Sequence, residues 1–164
     1  MPKLLALDLS TNVGWALLER GVPPRFGTLK LPAAPGGQDG PRFVALREWL
    51  FDAWRVHQFQ ALAYEMPILP RKSGDLATTM DTLTLLWGLA AIVRLVASEF
   101  KLPCEGVGVQ EAKIALTNKQ HATKDEMVVA AMQDLNWKVS NDHEADAGAV
   151  GLCAYERIWP KRAA

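Results

Sequence analysis

Short apolar runs bounded by turn signals mark the first thirty residues and predict three short strands. The runs KLLALDL, VGWALLE and RFGTLKL are separated by Ser-Thr-Asn and by a stretch with Arg-Gly and Pro-Pro, both of which are turn signals. Short strands joined this closely indicate an antiparallel meander. A loop rich in proline and glycine, residues 32–41, follows the third strand.

Helical spacing of the apolar residues replaces these short runs after the loop. Apolar side chains recur every three or four residues from Phe43 to Trp54, which predicts an amphipathic helix. QALAYE then predicts a strand. A long apolar helix is expected to begin at Asp75, as its N-cap, and to end near Lys101.

The last third of the chain predicts one more strand and two more helices. CEGVGV has the pattern of a strand, TKDEMVVAAMQDLN that of a helix capped by Thr123, and DHEADAGAVGLCAYERIW that of a helix capped by Asp142. Together the elements predict a mixed sheet covered by helices. Because no linker or repeat divides the chain, residues 1–164 are expected to form a single domain.

Composition narrows the class of protein. The chain is 49% apolar with six Trp, which fits a globular protein and excludes a disordered one. Its formal net charge is zero, so it lacks the basic excess typical of nucleic-acid binders. The longest nearly apolar run, 85–93, is about half of a membrane span, and Cys104 and Cys153 have the setting of reduced thiols. We therefore expect a cytoplasmic protein without a membrane partner.

Three predicted elements carry side chains that bear on chemistry. Because strand side chains alternate, Asp8 ends an apolar row on the first strand and Glu65 ends one on QALAYE. His143 and Asp146 are three residues apart and share one face of the closing helix. Small residues after Asp146 let this helix pack tightly on a sheet. If the three elements meet, the four side chains converge.

A convergent cluster of acids needs a cation or protonation. Oxygen-rich ligands suit Mg²⁺ or Mn²⁺, and two such ions about 4 Å apart can serve phosphodiester hydrolysis. Taken alone, each residue has a simpler explanation. Asp8 can form a turn with Ser10, Glu65 can end a strand in solvent, and His143 can be an exposed helix residue. The four together are harder to explain in this way.

The segments LALDLSTNVGWAL, LAYE and DHEADAGAVGL, in this order, resemble the RuvC-type Holliday junction resolvases of the RNase H-like superfamily. The resemblance spans the chain from Leu4 to about Trp159. It implies an α/β, RNase H-like fold: a five-stranded mixed sheet, three strands antiparallel and then two parallel, flanked by helices. It also implies a homodimer that uses Mg²⁺ or Mn²⁺, two ions per site, to nick four-way DNA junctions.

The resemblance also assigns roles to individual residues. The expected metal ligands and catalytic residues are Asp8, Glu65, His143 and Asp146. Lys113 and Lys124 fall where the family carries phosphate-contacting and catalysis-assisting lysines. These two lysines lie in QEAKIALTNKQHATKDEM, which resembles the family's basic segment before its third helix. Lys119 belongs to the same segment and is expected to bind DNA.

The loop MPILPRKSGD directly follows the predicted catalytic strand, so it is expected to reach the junction. Arg71 and Lys72 offer phosphate contacts, while Ile68 and Leu69 can wedge against unstacked bases. The alternative is an ordinary surface loop. Cellular family members often carry an aromatic residue where this chain has Ile68. With its divergent loops, the chain looks more like a phage or prophage-type member.

Other functions fit parts of the same pattern. An RNase H-like nuclease acting on flaps, forks or RNA–DNA hybrids would need the same acids. A non-catalytic junction-binding module would keep the fold without needing them. The four competent ligands favour an enzyme.

The long helix predicted before Lys101 is apolar over more of its circumference than one sheet contact requires. The apolar positions are Met80, Leu83, Leu86, Trp87, Ala90, Val93 and Ala97. Such a helix must be buried on more than one side, so we expect it to form the dimer interface. The alternative is a central helix within one subunit.

Overall fold

The computed structural model describes residues 1–68 and 79–160, and a five-stranded sheet lies at its centre. Strands β1 (Lys3–Asp8), β2 (Asn12–Glu19) and β3 (Val22–Lys30) form an antiparallel meander. Strand β4 (Ala61–Glu65) pairs in parallel with β1, and β5 (Cys104–Val107) pairs in parallel with β4. The order β3-β2-β1-β4-β5 confirms the predicted mixed sheet.

Helices flank this sheet on both faces. The α-helices of the described part are α1 (Gly40–His57), α2 (Met80–Glu99), α3 (Val109–Thr117), α4 (Lys124–Val129) and α5 (Asp142–Ile158). A short 3₁₀ turn precedes α1, and α4 continues into a π-helical turn, Ala130–Asp134.

Alternation along β1 divides the core into two layers. Leu4 and Ala6 face the layer that contains α5, whereas Leu5 and Leu7 face the layer that contains α1 and α2. All four are fully buried. The same alternation sends the side chain of Asp8 to the α5 side of the sheet.

Small residues let α5 lie close to the sheet, as the sequence predicted. A methyl group at Gly151 would overlap Leu18 of β2, and one at Gly148 would overlap Trp137. At the start of the helix, a methyl group on Gly14 of β2 would overlap the backbone of His143. This close approach fixes the first turn of α5 against β2.

Helix α3 was not predicted from the sequence, which assigned its residues only to a basic segment. Its first turn is fixed by the Glu111 carboxylate, which accepts a hydrogen bond from the Gly108 backbone N–H at 2.8 Å. Ala112 and Leu116 are its buried residues. Because only these two positions form its buried face, the sequence shows too few apolar residues at helical spacing to predict the helix.

Two helix caps were assigned to the wrong residues. The N-cap of α2 is Thr79, whose hydroxyl accepts from the Thr82 N–H at 3.2 Å, whereas the predicted cap, Asp75, lies outside the described residues. The N-cap of α5 is Asn141, whose side chain accepts from the Glu144 N–H at 3.0 Å. Asp142 is therefore the first residue of the helix, and its carboxylate is available for another contact.

Helix α2 packs against the sheet and α1 more extensively than the prediction of a dimer interface assumed. The side chains buried within the subunit are Leu83, Leu85, Leu89, Ala90, Val93, Val96 and Ala97. Met80 and Trp87 from the predicted interface remain exposed. Among the described helices, α2 alone has the length and composition to cross a membrane, which is also true of many core helices.

Candidate active site

Two carboxylates end neighbouring parallel strands at the same edge of the sheet. Leu7 of β1 pairs with Tyr64 of β4, so the next residues, Asp8 and Glu65, come at equivalent positions. Both side chains are half-buried. The parallel pairing of β1 with β4 therefore brings together two acids that are 57 residues apart in the sequence.

The first turn of α5 adds a histidine and a third acid. Gly14 pairs with Asp8 across the β1–β2 ladder and allows the backbone of His143 to approach. His143 Nδ1 lies 2.7 Å from Asp8 Oδ2, a hydrogen-bonding distance. Asp146 follows one helical turn later and faces the same space.

One cavity of about 270 Å³ collects these side chains and two lysines. Its polar lining contains all six residues predicted to be catalytic: Asp8, Glu65, Lys113, Lys124, His143 and Asp146. The structure thus brings together residues from β1, β4, α3, α4 and α5. Their roles remain predictions, but the predicted convergence is what the fold produces.

Burial and mutual repulsion disfavour the charged forms of the acids. Burial first, and then the carboxylates of Asp8 and Asp146, raise the pKa of Glu65 to about 8. Burial and Asp8 also raise the pKa of Asp146 to about 6. The hydrogen bond to Asp8 raises the pKa of His143 and favours its imidazolium form. The cavity therefore gathers carboxyl groups whose ionised forms lack sufficient counter-charge.

The lysines reach the cavity from the two short helices. Lys113 lies on α3 and is half-buried. Lys124 begins α4, and its ammonium donates to Asp142 Oδ2 at 2.6 Å, a contact that raises the pKa of Lys124. Asp142 is thus a lysine partner and not the helix cap predicted from the sequence. Because Asp142 directly precedes His143, this ion pair joins α4 to the first turn of α5.

The other residues predicted to bind DNA do not share one location. Ile68 lines the cavity and is 62% exposed. Lys119 lies outside the cavity, where its ammonium donates to the Glu126 carboxylate at 2.8 Å. The other predicted contacts, Leu69, Arg71 and Lys72, lie outside the described residues.

Two residues that shape the site were not among the candidates from the sequence. Ser10 lines the cavity, and its hydroxyl binds the backbone of Asn12 in the turn after β1. Gly14 is required for the approach of α5. The Ser-Thr-Asn turn signal pointed to the first. Gly14 gave no signal, because glycine is required there by a contact with a helix about 130 residues away in the sequence.

The donor set fits a hard divalent cation. It contains three carboxylates and one imidazole, and carboxylate oxygens are the ligands that Mg²⁺ and Mn²⁺ prefer. A cation beside Glu65 and Asp146 would also favour their ionised forms, which burial opposes. Within residues 1–68 and 79–160, the structure contains no group of three His, Cys, Asp or Glu side chains that is already arranged to hold a metal ion. In this arrangement Asp8 instead contacts His143.

Comparison with known proteins decides the family. No family model matches the chain. However, it is 32% identical over 166 residues to the crossover junction endodeoxyribonuclease RuvC of Synechococcus sp. strain CC9311, covering 93% of this chain and 98% of that protein. This chain belongs to the RuvC family. The RuvC of Synechococcus sp. strain RCC307 is 29% identical over 161 residues, with the same coverage of both chains.

The RuvC fold is also found by comparison with solved structures. The structure of Thermus thermophilus RuvC in complex with a Holliday junction substrate has a TM-score of 0.77 to this chain, at 19% identity, and the match covers 98% of each chain. The resemblance stated from the sequence and the predicted five-stranded RuvC fold are therefore both confirmed.

Proposed function

We propose that this RuvC-family protein is a divalent-metal-dependent endonuclease that resolves four-way DNA junctions by paired nicks. The observation that carries the proposal is the convergence of Asp8, Glu65, His143 and Asp146 with two lysines in one cavity. The relatives support the substrate, since they are named crossover junction endodeoxyribonucleases and the Thermus protein binds a Holliday junction substrate.

The carboxylates of Asp8, Glu65 and Asp146 would hold Mg²⁺ or Mn²⁺, with His143 as a further ligand or as a proton carrier. Two such ions would supply an activated water and stabilise the leaving oxygen of a phosphodiester. Asp8 accepts from His143 in the described arrangement, and this contact orients the imidazole toward the cavity. His143 can therefore hold a proton at Nδ1 beside the reacting groups.

The lysines attract and position the DNA backbone. Lys113 and Lys124 place two positive charges on the lining of a cavity rich in carboxylates. Contacts from lysine to phosphate supply affinity and register without reading the sequence. Asp142 holds Lys124 at 2.6 Å and so keeps its ammonium near the scissile position.

The proposed oligomer is a homodimer formed through the exposed side of α2. Four exposed apolar residues of α2 recur at successive intervals of seven, four and four residues: Met80, Trp87, Ala91 and Leu95. This spacing places them on one helical stripe that can pack against a second copy. A two-fold dimer presents one active site to each of two opposed strands of a two-fold junction.

The direct test is a panel of labelled substrates under single-turnover conditions. Four-way, forked, flap and RNA–DNA hybrid substrates are incubated with the protein in Mg²⁺ and in EDTA. We expect symmetrically paired nicks in the four-way junction with Mg²⁺ and none with EDTA. Faster cutting of flaps, forks or hybrids than of the four-way junction would contradict the proposed substrate.

A further inference from the structure

Glu144 is buried in the first turn of α5, and the proposed chemistry gives it no role. Among residues 1–68 and 79–160, it is the only Asp, Glu, Lys, Arg or His side chain that is buried, with 5% of its surface exposed. It is not one of the described residues that line the candidate active-site cavity. Burying a carboxylate is costly unless hydrogen bonds replace its contacts with water. The partners of Glu144 therefore indicate what this residue contributes.

The carboxylate of Glu144 belongs to a hydrogen-bond network with three other residues. Its Oε2 accepts from the backbone N–H of Ser140 at 2.7 Å, and its Oε1 accepts from the Thr28 hydroxyl at 3.5 Å, which is a weak bond. The N-cap, Asn141, completes the network. Its amide donates to the same hydroxyl at 3.1 Å, and its carbonyl oxygen accepts from the Glu144 N–H at 3.0 Å. The network joins the start of α5 to β3 and to the loop before the helix.

Packing one turn along α5 shows that Glu144 lies on the face of the helix toward β3. A methyl group at Gly148, four residues after Glu144, would lie 3.0 Å from the ring of Phe26. Phe26 and Thr28 are two residues apart on β3, so they share one face of the strand. The residue before Glu144, His143, points instead toward Asp8 of β1. Neighbouring residues of one helical turn thus serve different contacts.

Both chain neighbours of His143 are tied to other elements. On one side, the carboxylate of Asp142 binds the ammonium of Lys124 on α4. On the other side, Glu144 is tied to β3 and to the loop before α5. Because the first turn of a helix tends to fray, these ties decide how firmly the imidazole is held 2.7 Å from Asp8. Small displacements of a reacting group can cost a large part of the rate.

We infer that Glu144 is a positioning residue for His143, fixing the first turn of α5 so that the imidazole stays on Asp8. The inference rests on the proposed junction-cutting function and adds to it a residue that touches neither DNA nor metal. What this role requires is hydrogen bonds over the right distance. Glu144→Gln keeps an acceptor for Ser140 and an amide group for Thr28. Glu144→Asp keeps a carboxylate but is one methylene too short to reach the same partners.

The first test is nitrogen NMR of the imidazoles in the metal-free protein at one fixed pH. The chain has three histidines, so the spectrum is simple, and His143→Ala identifies the signals of His143. Glu144→Ala and Glu144→Asp should both shift the Nδ1 signal of His143, because its contact with Asp8 loosens. Glu144→Gln should restore the wild-type signal. An unchanged signal in Glu144→Ala would overturn the inference, whether or not the protein cuts DNA.

The second test measures single-turnover nicking of a four-way junction at saturating protein in Mg²⁺. Glu144→Ala should cut about tenfold or more slowly, and Glu144→Gln should stay within about threefold of wild type. The junction Kd should change less than about threefold in both, because lysines of α3 and α4 make the phosphate contacts. The double variant His143→Ala/Glu144→Ala should cut at the same rate as His143→Ala alone, since Glu144 acts through His143. Additive losses, or no rescue by glutamine, would contradict a positioning role.

Glu156→Ala is the matched control, because Glu156 is an exposed carboxylate near the far end of the same helix, 3.5 Å from Arg20. It should keep both the wild-type signal and the wild-type rate. If Glu144→Ala does not fold, Thr28→Val replaces it, since Thr28 is exposed and the change removes only the β3 end of the network. It should shift the His143 signal in the same direction, and no shift would overturn the inference. A wild type that cuts no junction would contradict the proposed function, while the NMR comparison still decides the role of Glu144.

Discussion

Burial and neighbouring carboxylates raise the pKa of Glu65 to about 8 and that of Asp146 to about 6. Each side chain would be less costly to the fold as an amide. Shifts that come from burial and a specific like charge inside a cavity are typical of functional sites. At the scale of single residues, a functional role therefore explains why acids occupy these positions, whereas a contribution to stability does not.

Replacing Glu65 should stabilise the metal-free protein. The folded-state pKa is raised, so the destabilisation is absent below the unfolded value of about 4.5 and grows as the pH rises toward about 8. One pKa unit corresponds to about 1.4 kcal/mol, and we expect Glu65→Gln to raise the free energy of unfolding by on the order of 2 kcal/mol at pH 8. Urea unfolding in EDTA at pH 5 and pH 8 measures this. A variant less stable than wild type at pH 8 would contradict it.

The lysines provide a second prediction with a built-in control. Lys113→Ala and Lys124→Ala should each lower the single-turnover cutting rate about tenfold or more, because each removes a charge from the cavity. Lys119→Ala is matched in chemistry, but its ammonium lies with Glu126 outside the cavity. At saturating junction we expect it to change the cutting rate less than about threefold, because a DNA contact outside the cavity affects binding and not the chemical step. Equal losses for Lys119 and Lys113 would show that the cavity does not define the site.

At the scale of elements, the site depends on how closely α5 approaches the sheet. Gly14 is buried, pairs with Asp8, and leaves room for the backbone of His143. Gly14→Ala should displace the first turn of α5 and reduce cutting about tenfold or more while the protein stays folded. Circular dichroism tests whether the variant stays folded, and single-turnover nicking measures the loss of cutting. Gly40→Ala, at an exposed position with open space around it, should leave cutting unchanged.

The strands, and the positions of the acids on them, could be predicted because their signals are local. Alternation placed Asp8 and Glu65 on their strands, and the spacing of His143 and Asp146 placed them on one helical face. Helix α3 was missed because a glycine precedes it and only Ala112 and Leu116 mark its buried face.

Contacts between distant elements could not be predicted from the sequence. Asp142 was predicted to cap α5, but Asn141 does so, because the cap depends on the local backbone angles. The ion pair between Asp142 and Lys124 and the hydrogen bond between Gln110 and Gln120 both depend on how α3, α4 and α5 meet. Such pairs have no signature in composition or period.

At the scale of the whole molecule, the proposed dimer can be tested at the centre of the exposed stripe on α2. Trp87 is 40% exposed although its chemistry favours burial. Trp87→Glu should convert the dimer to a monomer at micromolar concentration, because a charge would be buried unpaired in the interface. Sedimentation velocity measures this. Val56→Glu, on the exposed side of α1, should leave the dimer intact. A wild-type monomer, with or without DNA, would contradict the proposal.

The most direct test of the central claim compares cutting and binding in Asp8→Asn. The change keeps the shape of the side chain but removes its charge, so metal binding and cutting should both fail, whereas lysine–phosphate contacts remain. Single-turnover nicking and gel shift are measured on one four-way junction in Mg²⁺. We predict that cutting falls by about a thousandfold or more and that the junction Kd stays within about threefold of wild type. An Asp8→Asn protein that cuts at nearly the wild-type rate would contradict the account.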